Sequence, residues 1–511
     1  MTLRELVHGL TTSPMPSVTV SGVAVHSKQL KPGEIFVAVQ GPSHDGHDFL
    51  EEAMQRGAAA LVVERPPLEL RRASAGDLVA DRAPACALRV PVVVVSNTHR
   101  ALMVMAARAY GQPASKLRLI GVTGTNGKTT TTYLLKAILE AAGQGVGLLG
   151  TVTYQIGERS LPSTNTTPGL LELQRHLAGM VAQGLGWCAM EVSSHALDQG
   201  RVDGISFDAA VLTNIGSDHL DYHRTRERYT TAKRRLFDML RPAGCAVLNV
   251  DDAFGRAWVS ALAPRTCVTY GVGGDVGVVP IVQAREVQCT WEDTRLVIDS
   301  PWGAVPVRTP LVGRHNVENI VAASATALAL GVTPEAIQRA LADFAHVPGR
   351  MERVSQEGGV SVVVDYAHTA DALRLVLRSL RELVCGRLIV VFGCGGNRDQ
   401  SKRPVMGRVA SELADHVILT SDNPRHEHPL EIIQHIAAGY APGFGHAQVI
   451  VDREQAILTA LSMAQAGDAV LVAGKGHEAY QIFDHTTVPF SDREVVKQCV
   501  ANRYSVAVGV G

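Results

Sequence analysis

Apolar and polar positions follow two different rhythms along this chain, and the change of rhythm marks out its elements. In residues 1–97 the apolar runs are short, at 17–25, 35–39, 60–63 and 92–95, and read as strands. Between the last two runs, 66–91 is rich in Pro, Arg and Ala, keeps neither rhythm, and is expected to be a mobile loop. From 98 a helical spacing runs to 110, followed by the apolar run 117–120 and by a helix with Tyr133, Leu134, Leu135, Ile138 and Leu139 on one side. Strands at 187–194, 208–215 and 246–251 each end in polar residues. After residue 347 the alternation is regular. A strand at 361–365 leads into a helix with the apolar face Leu373, Val376, Leu377, Leu380 and Leu383, and strands follow at 387–392, 416–420 and 469–473 with helices between. Strands alternating with helices imply parallel sheets covered on both faces, with ligands beyond the carboxyl ends of the strands.

The turn between the run at 117–120 and its helix reads Gly121-Val122-Thr123-Gly124-Thr125-Asn126-Gly127-Lys128-Thr129-Thr130. Strand, glycine loop, helix is the setting in which backbone N–H groups turn toward a phosphate. Lys128 would neutralise the β/γ-phosphates, and the Thr129 hydroxyl suits Mg²⁺. Position 122 is Val where the usual string has Gly. With this loop, the pattern describes an α/β protein of three domains. These are a small α/β N-terminal domain (1–97), a central P-loop ATPase-like domain built on a parallel sheet with helices on both faces (98–346), and a C-terminal Rossmann-like α/β domain (347–511).

Other polar groups gather at expected strand ends: Glu191, Asn214, Asp365, Asn397-Arg398, Asp422 and Lys475. Glu191-Val192-Ser193-Ser194-His195 and Asp218-His219-Leu220-Asp221-Tyr222-His223 offer oxygen and imidazole ligands, which read as a Mg²⁺ site beside a nucleotide loop or as a polar loop of satisfied histidines. Gly393-Cys394-Gly395-Gly396-Asn397-Arg398-Asp399, with Lys402-Arg403 behind it, is a glycine turn loaded with cations and suits an anionic substrate. In Asp422-Asn423-Pro424-Arg425 the proline restricts Asn423 and would aim the Arg425 fork as a carboxylate receptor; a surface turn is the alternative.

Composition narrows the class. A net charge of −1 argues against non-specific nucleic-acid binding, and 46% hydrophobic with 19% charged residues is ordinary for a globular chain. Eight cysteines without a CxxC pair look like reduced, cytoplasmic usage. Neither a signal-like start nor a membrane-length apolar run is present, so a cytoplasmic protein with no membrane partner is expected.

Several of these strings, in order along nearly the whole chain, resemble the Mur ligase family. They are Gly124 to Thr129, Glu191 to His195, Thr213-Asn214 with Asp218-His219, Gly313-Arg314-His315-Asn316 with Asn319, and Asp365-Tyr366-Ala367-His368. Gly393 to Asp399, the 422–425 tetrad and Gly474-Lys475-Gly476-His477-Glu478 resemble those members that add meso-diaminopimelate to UDP-N-acetylmuramoyl-L-alanyl-D-glutamate. The resemblance implies ATP as co-substrate, a reaction through an acyl phosphate on the D-Glu side chain, two Mg²⁺ ions and a monomeric enzyme of peptidoglycan precursor synthesis. It also implies site roles. Lys128, Lys233, His219 and Arg350 would serve catalysis, and Gly124, Thr125, Asn126, Gly127, Thr129, Thr130, Asn316, Asn319 and Asp365 would bind ATP. Thr129, Glu191, His219 and Lys233 (as a carbamate) would hold metal. Ser27, Pro42, Ser43, His44, Asn165, Thr166, Thr167, Ser193, Gln199 and Arg201 would receive the sugar nucleotide, although His26-Ser27-Lys28 stands where the family usually has Asp-Ser-Arg. Arg398, Asp422, Asn423, Pro424, Arg425, Gly474 and Glu478 would bind diaminopimelate. The rivals are a lysine-adding sibling, a folylpolyglutamate or cyanophycin-type ligase, and a nucleotide-switched binding protein without catalysis.

Overall fold

The computed structural model describes residues 1–12, 15–41, 44–65, 90–273 and 277–508, so the loop expected at 66–91 lies outside the described residues except for its last two positions. The chain packs as two units. One holds Met1–Arg118, Pro168–Gly186 and Ala196–Ser206, and the other holds Leu119–Thr167, Trp187–His195 and the described residues from Phe207 onward.

In the first unit, strands Gly22–Ala24, Glu34–Val37, Ala60–Val63 and Val92–Val94 form a parallel sheet in sequence order. Its period-two alternation sorts the side chains. Ile35, Val37, Ala60 and Val62 pack with Leu3, Leu6, Leu102 and Met105, while Phe36, Leu61 and Val63 pack with Leu30 and Ala53 on the other face. Covered on both sides, Ala60–Val63 reads as a continuous apolar run. The helix Thr98–Ala109 belongs to this core and is capped by Asn97 Oδ1, which accepts the Arg100 N–H at 2.7 Å.

The second unit contains two large sheets. The larger runs, edge to edge, through Val305–Thr309, Thr294–Asp299, Val282–Cys289, Thr266–Gly271, Leu240–Asn249, Phe207–Leu212, Arg118–Thr123, Trp187–Glu191, Val146–Leu149, Thr153–Ile156 and Arg159–Pro162. Its centre is parallel as expected, but both edges are antiparallel ribbons. Links such as Gly157-Glu158 are too short for a crossover helix and leave only the hairpin. The helix Lys128–Ala141 lays Leu134, Leu135, Ile138 and Leu139 against Ile120, Val122, Leu148, Ala189 and Val211.

The second sheet runs Glu352–Ser355, Ser361–Asp365, Ala469–Ala473, Leu388–Phe392, His416–Leu419 and Ala447–Val449, parallel except at the first edge. Asp365 lies level with Ala473, and Phe392 with Leu419, so the loops following these four strands leave the same sheet end side by side. The helix Ala370–Arg381 buries Leu373, Val376, Leu377 and Leu380; Leu383 lies past its end in the same cluster. No helix among the described residues is long and apolar enough to cross a membrane, and the seven described cysteines are free thiols.

One ion pair is fully buried in this second layer. Arg453 Nε and Nη2 donate to the two Asp492 oxygens at 2.7 and 2.8 Å, and Nη2 also reaches Ala473 O at 2.9 Å. Removing one partner strands a buried charge, so Arg453→Met is expected to destabilise by about 3–5 kcal/mol, with a smaller loss in Arg453→Met/Asp492→Leu. Denaturant midpoints of both variants test this, and equal losses would refute it.

Candidate active site

The loop between Arg118–Thr123 and Lys128–Ala141 takes the shape its glycines allow. Gly124 has φ 147° and Gly127 φ 85°, and a Cβ at either would collide, with Thr213 Oγ1 and with Asn319 Oδ1 respectively. Neighbours pin the loop: Asn126 N–H donates to Asn214 Oδ1 at 3.0 Å, and Thr213 Oγ1 donates to Asn126 O at 2.6 Å. Two ammonium groups converge on one carbonyl. Lys128 Nζ donates to Gly124 O and Thr125 O at 2.9 Å each, and Lys233 Nζ donates to Gly124 O at 2.7 Å. Lys233 sits on the helix Arg226–Asp238, only 1% exposed, 4.4 Å above the Tyr229 ring. Burial, then the nearby Lys128 charge, drives its pKa well below the usual lysine value. Burial also lowers Lys128, against the opposing pull of Glu191 and Asp218.

Oxygen ligands face this loop. Glu191, at the end of Trp187–Glu191, accepts the Thr151 N–H at 2.7 Å and its hydroxyl at 3.0 Å. Thr151 Oγ1 lies 3.1 Å from Thr166 Oγ1. His219 has φ 55°, gives its N–H to Asp218 Oδ1 at 2.8 Å, and stands edge-on to His195 at 4.5 Å. Burial lowers the His219 pKa despite the Asp218 carboxylate. A cavity of about 250 Å³ is lined by Thr125 to Thr130, Thr151, Thr166, Glu191, Asp218, His219, Asn316, Asn319, Arg350 and Asp365. Its carboxylate and hydroxyl donors are the hard set that Mg²⁺ prefers.

Arg350 enters this cavity from the chain segment before the second sheet. Nη2 donates to Thr129 Oγ1 at 3.2 Å, the guanidinium lies 4.4 Å over the Tyr366 ring, and the buried Nε has no hydrogen-bond partner. Asp365 takes the Met351 and Ala367 N–H groups at 2.7 Å each, and burial raises its pKa against the Arg350 charge. Asn319 Nδ2 donates to Asn316 Oδ1 at 3.2 Å, and Asn316 Nδ2 to Val312 O at 2.9 Å.

A second cluster forms at the carboxyl end of the second sheet. Lys475 Nζ, fully buried, donates to Asn423 Oδ1 at 3.2 Å and Glu478 Oε2 at 3.0 Å, and Asn423 Nδ2 donates to the same Glu478 oxygen at 3.0 Å. Asp422 is buried, and a Cβ on Gly474 (φ 112°) would stand 2.7 Å from its Oδ2. Arg425 is half-buried, and its Nη1 donates to Gly396 O at 2.8 Å. Pro424 is buried and Arg398 exposed.

The expected nucleotide and metal residues therefore come together: all line the cavity except Gly124 and Lys233, which join it through the Gly124 carbonyl. The expected sugar-nucleotide residues are split. Ser27 (bonded to Glu52 Oε2 at 2.7 Å), the exposed His44, Gln199 and Arg201 belong to the first unit, while Asn165, Thr166, Thr167 and Ser193 belong to the second. Pro42 and Ser43 lie outside the described residues. Thr167 Oγ1 donates to Glu191 O at 2.9 Å and accepts the Ser193 N–H at 3.0 Å. Thr151 was missed, its only signal a position just past a strand end, and Tyr366, named in the string at 365–368, was given no role of its own.

Burial pushes three imidazoles around the site, His315, His368 and His477, down to about 4 from 6.5. The unfolded chain then binds more protons between those values, so this stabilisation is complete above pH 6.5 and is lost as pH falls toward 4. Each group contributes a slope of up to about 1.4 kcal/mol per pH unit. A shallower pH dependence of unfolding in His315→Gln is the expected result, and an unchanged one would count against it.

Comparison with known proteins matches this geometry. The chain fits the profiles of the Mur ligase family catalytic domain (residues 19–110), the Mur ligase middle domain (122–327) and the Mur ligase glutamate ligase domain (349–476). It is 44% identical over 490 residues, 95% of each chain, to the UDP-N-acetylmuramoyl-L-alanyl-D-glutamate–2,6-diaminopimelate ligase of Geobacillus kaustophilus. The ligase of that name from Synechococcus elongatus is 42% identical over 99% of this chain and 100% of its own. A solved structure of a ligase so named superposes with a TM-score of 0.67 at 31% identity over 99% of both chains. MurF ligase from Thermotoga maritima in complex with ADP shares the fold, with a TM-score of 0.60 at 21% identity over 96% of this chain and 98% of its own. The chain, with its nucleotide loop, its carboxylate-lined cavity and its arginine reaching in from the segment before the second sheet, belongs to the Mur ligase family.

Proposed function

We propose that this protein is an ATP-dependent ligase that joins meso-diaminopimelate to the D-Glu side-chain carboxylate of UDP-N-acetylmuramoyl-L-alanyl-D-glutamate, in peptidoglycan precursor synthesis. The observation that carries the reading is one cavity in which Lys128, the Glu191 and Asp218 carboxylates and Arg350 converge, with Lys233 bonded to the loop beneath it. A nucleotide switch needs one Mg²⁺ and no acyl acceptor. In the reaction a D-Glu carboxylate oxygen attacks the γ-phosphorus and ADP leaves. The amine nitrogen then attacks the acyl carbon, loses a proton, and the carbon–oxygen bond to phosphate breaks. Lys128 and Arg350 offset charge on the transferring phosphoryl group, and the glycine loop holds its phosphates through N–H groups. Asn316 and Asn319 face the base and Asp365 the ribose. Thr129 and Glu191 would hold one Mg²⁺, and His219 with a carbamylated Lys233 a second; bound there, the ions supply positive charge to the phosphate oxygens.

In this reading residues 1–97 receive the uridine end, 98–346 bind ATP and 347–511 bind the amino acid, and the protein works as a cytoplasmic monomer. Ser27, His44, Gln199 and Arg201, with Asn165 to Thr167 and Ser193, are assigned to the sugar nucleotide. Arg425 and Arg398 are assigned to the distal carboxylate of diaminopimelate, and Glu478 to its ammonium. The test supplies purified protein with ATP, Mg²⁺ and the dipeptide precursor, and compares diaminopimelate with lysine by product mass. A diaminopimelate product, with phosphate release requiring both substrates, is expected. A lysine product would assign the sibling activity, and phosphate release indifferent to the amine would refute the ligase.

A further inference from the structure

Away from the cavity, the turn of a small hairpin meets the end of the 422–425 tetrad. Strands Tyr480–Phe483 and Thr486–Pro489 are joined by Asp484-His485, and His426 follows Arg425 directly. Two backbone bonds tie these segments: Arg425 N–H donates to Ile482 O at 3.0 Å, and Asp484 N–H donates to Arg425 O at 2.7 Å. Arg425 and Asp484 are both held at positive φ, 54° and 50°, a conformation that costs non-glycine residues energy and persists where neighbours enforce it. His426 N–H is fixed in turn by Asn397 Oδ1 at 3.1 Å.

On this frame three side chains converge. His426 Nδ1 lies 2.5 Å from Asp484 Oδ1, His485 Nε2 lies 3.7 Å from the same oxygen, and the two imidazole rings are 4.9 Å apart. One ligand atom from each residue falls within 4.8 Å of the others, the one such group of three among the described residues. We propose that His426, Asp484 and His485 form a binding site for a borderline divalent cation, Zn²⁺ in the first instance, which clips the hairpin to the segment carrying Arg425. Two imidazole nitrogens and one carboxylate suit Zn²⁺, whereas Mg²⁺ prefers an all-oxygen set and keeps its waters. Three protein ligands leave a fourth position open, so the ion is exchangeable rather than structural.

All three side chains are exposed and lose rotamer freedom on binding, so the affinity is moderate, with Kd on the order of 10 µM. The clip stiffens the backbone that aims Arg425; that consequence rests on the diaminopimelate reading, but the binding does not. The test is calorimetric titration of the intact protein with Zn²⁺ in millimolar Mg²⁺, for wild type, His426→Ala and His485→Ala, whose exposed positions leave folding intact. One ion per chain is expected, with affinity at least tenfold weaker in each variant, together with slowed amide exchange over 480–489 that only wild type shows. Zinc uptake that is absent from wild type, or that persists unchanged in both variants and so belongs to thiols such as the exposed Cys385, would overturn the site.

Discussion

Replacing Lys233 by Met is expected to leave the protein folded and able to bind ATP while lowering kcat by roughly 10²–10³-fold. The reasoning starts from burial. An ammonium 1% exposed, beside the Lys128 charge, loses its proton more readily than an ordinary lysine, and the amine form has the lone pair needed to attack CO₂. The carbamate formed by that attack, with release of a proton, is an oxygen anion of the kind a second Mg²⁺ requires. Methionine fills nearly the same volume without the nitrogen, and its structural cost is limited to the lost 2.7 Å bond to Gly124 O, about 1–3 kcal/mol. Wild-type activity should fall in CO₂-depleted buffer and return with bicarbonate, and the variant should not respond. A variant within tenfold of wild type would remove Lys233 from the mechanism.

Arg425→Ala is expected to lower kcat/KM for diaminopimelate by about a hundredfold and to leave lysine turnover equal or higher. The two amino acids differ by one carboxylate at the distal carbon, and a charge-assisted pair with a guanidinium is worth about 1.5–3 kcal/mol. Arg425 is half-buried, so water would moderate the cost of leaving it unpaired compared with a dry site. Its Nη1 is already oriented by Gly396 O at 2.8 Å, which favours a bound carboxylate in one direction. Competition between the two amino acids, read by product mass, gives the ratio directly. An unchanged ratio would move the selectivity elsewhere in the loop cluster.

The elements with the strongest periodicity were legible before any coordinates. Ser361–Asp365 and Ala469–Ala473 match the expected strands residue for residue, because the middle of a strand covered on both faces must be apolar, as Val362, Val363 and Val364 are. The antiparallel edge Thr294–Asp299 and Val305–Thr309 also carried a signal, with Leu296, Ile298, Val305 and Val307 alternating inward, but its polar outward positions blurred it beside the stronger core runs. The nucleotide loop was readable because its chemistry is local: glycines at positive φ, a lysine and a threonine lie within six residues.

Sequence by itself determined the strand–loop–helix phosphate cradle, the two alternating α/β sheets behind it and the residue types around them, since each depends on neighbours a few positions apart. Tertiary structure alone decided which distant groups meet. It brought Lys233 and Lys128 to one carbonyl, Arg350 to Thr129, Thr151 to Glu191 and Lys475 between Asn423 and Glu478. It also decided that Lys233 is buried. Side-chain burial and charge proximity depend on packing between segments that lie from 40 to 221 residues apart, and no local pattern records that.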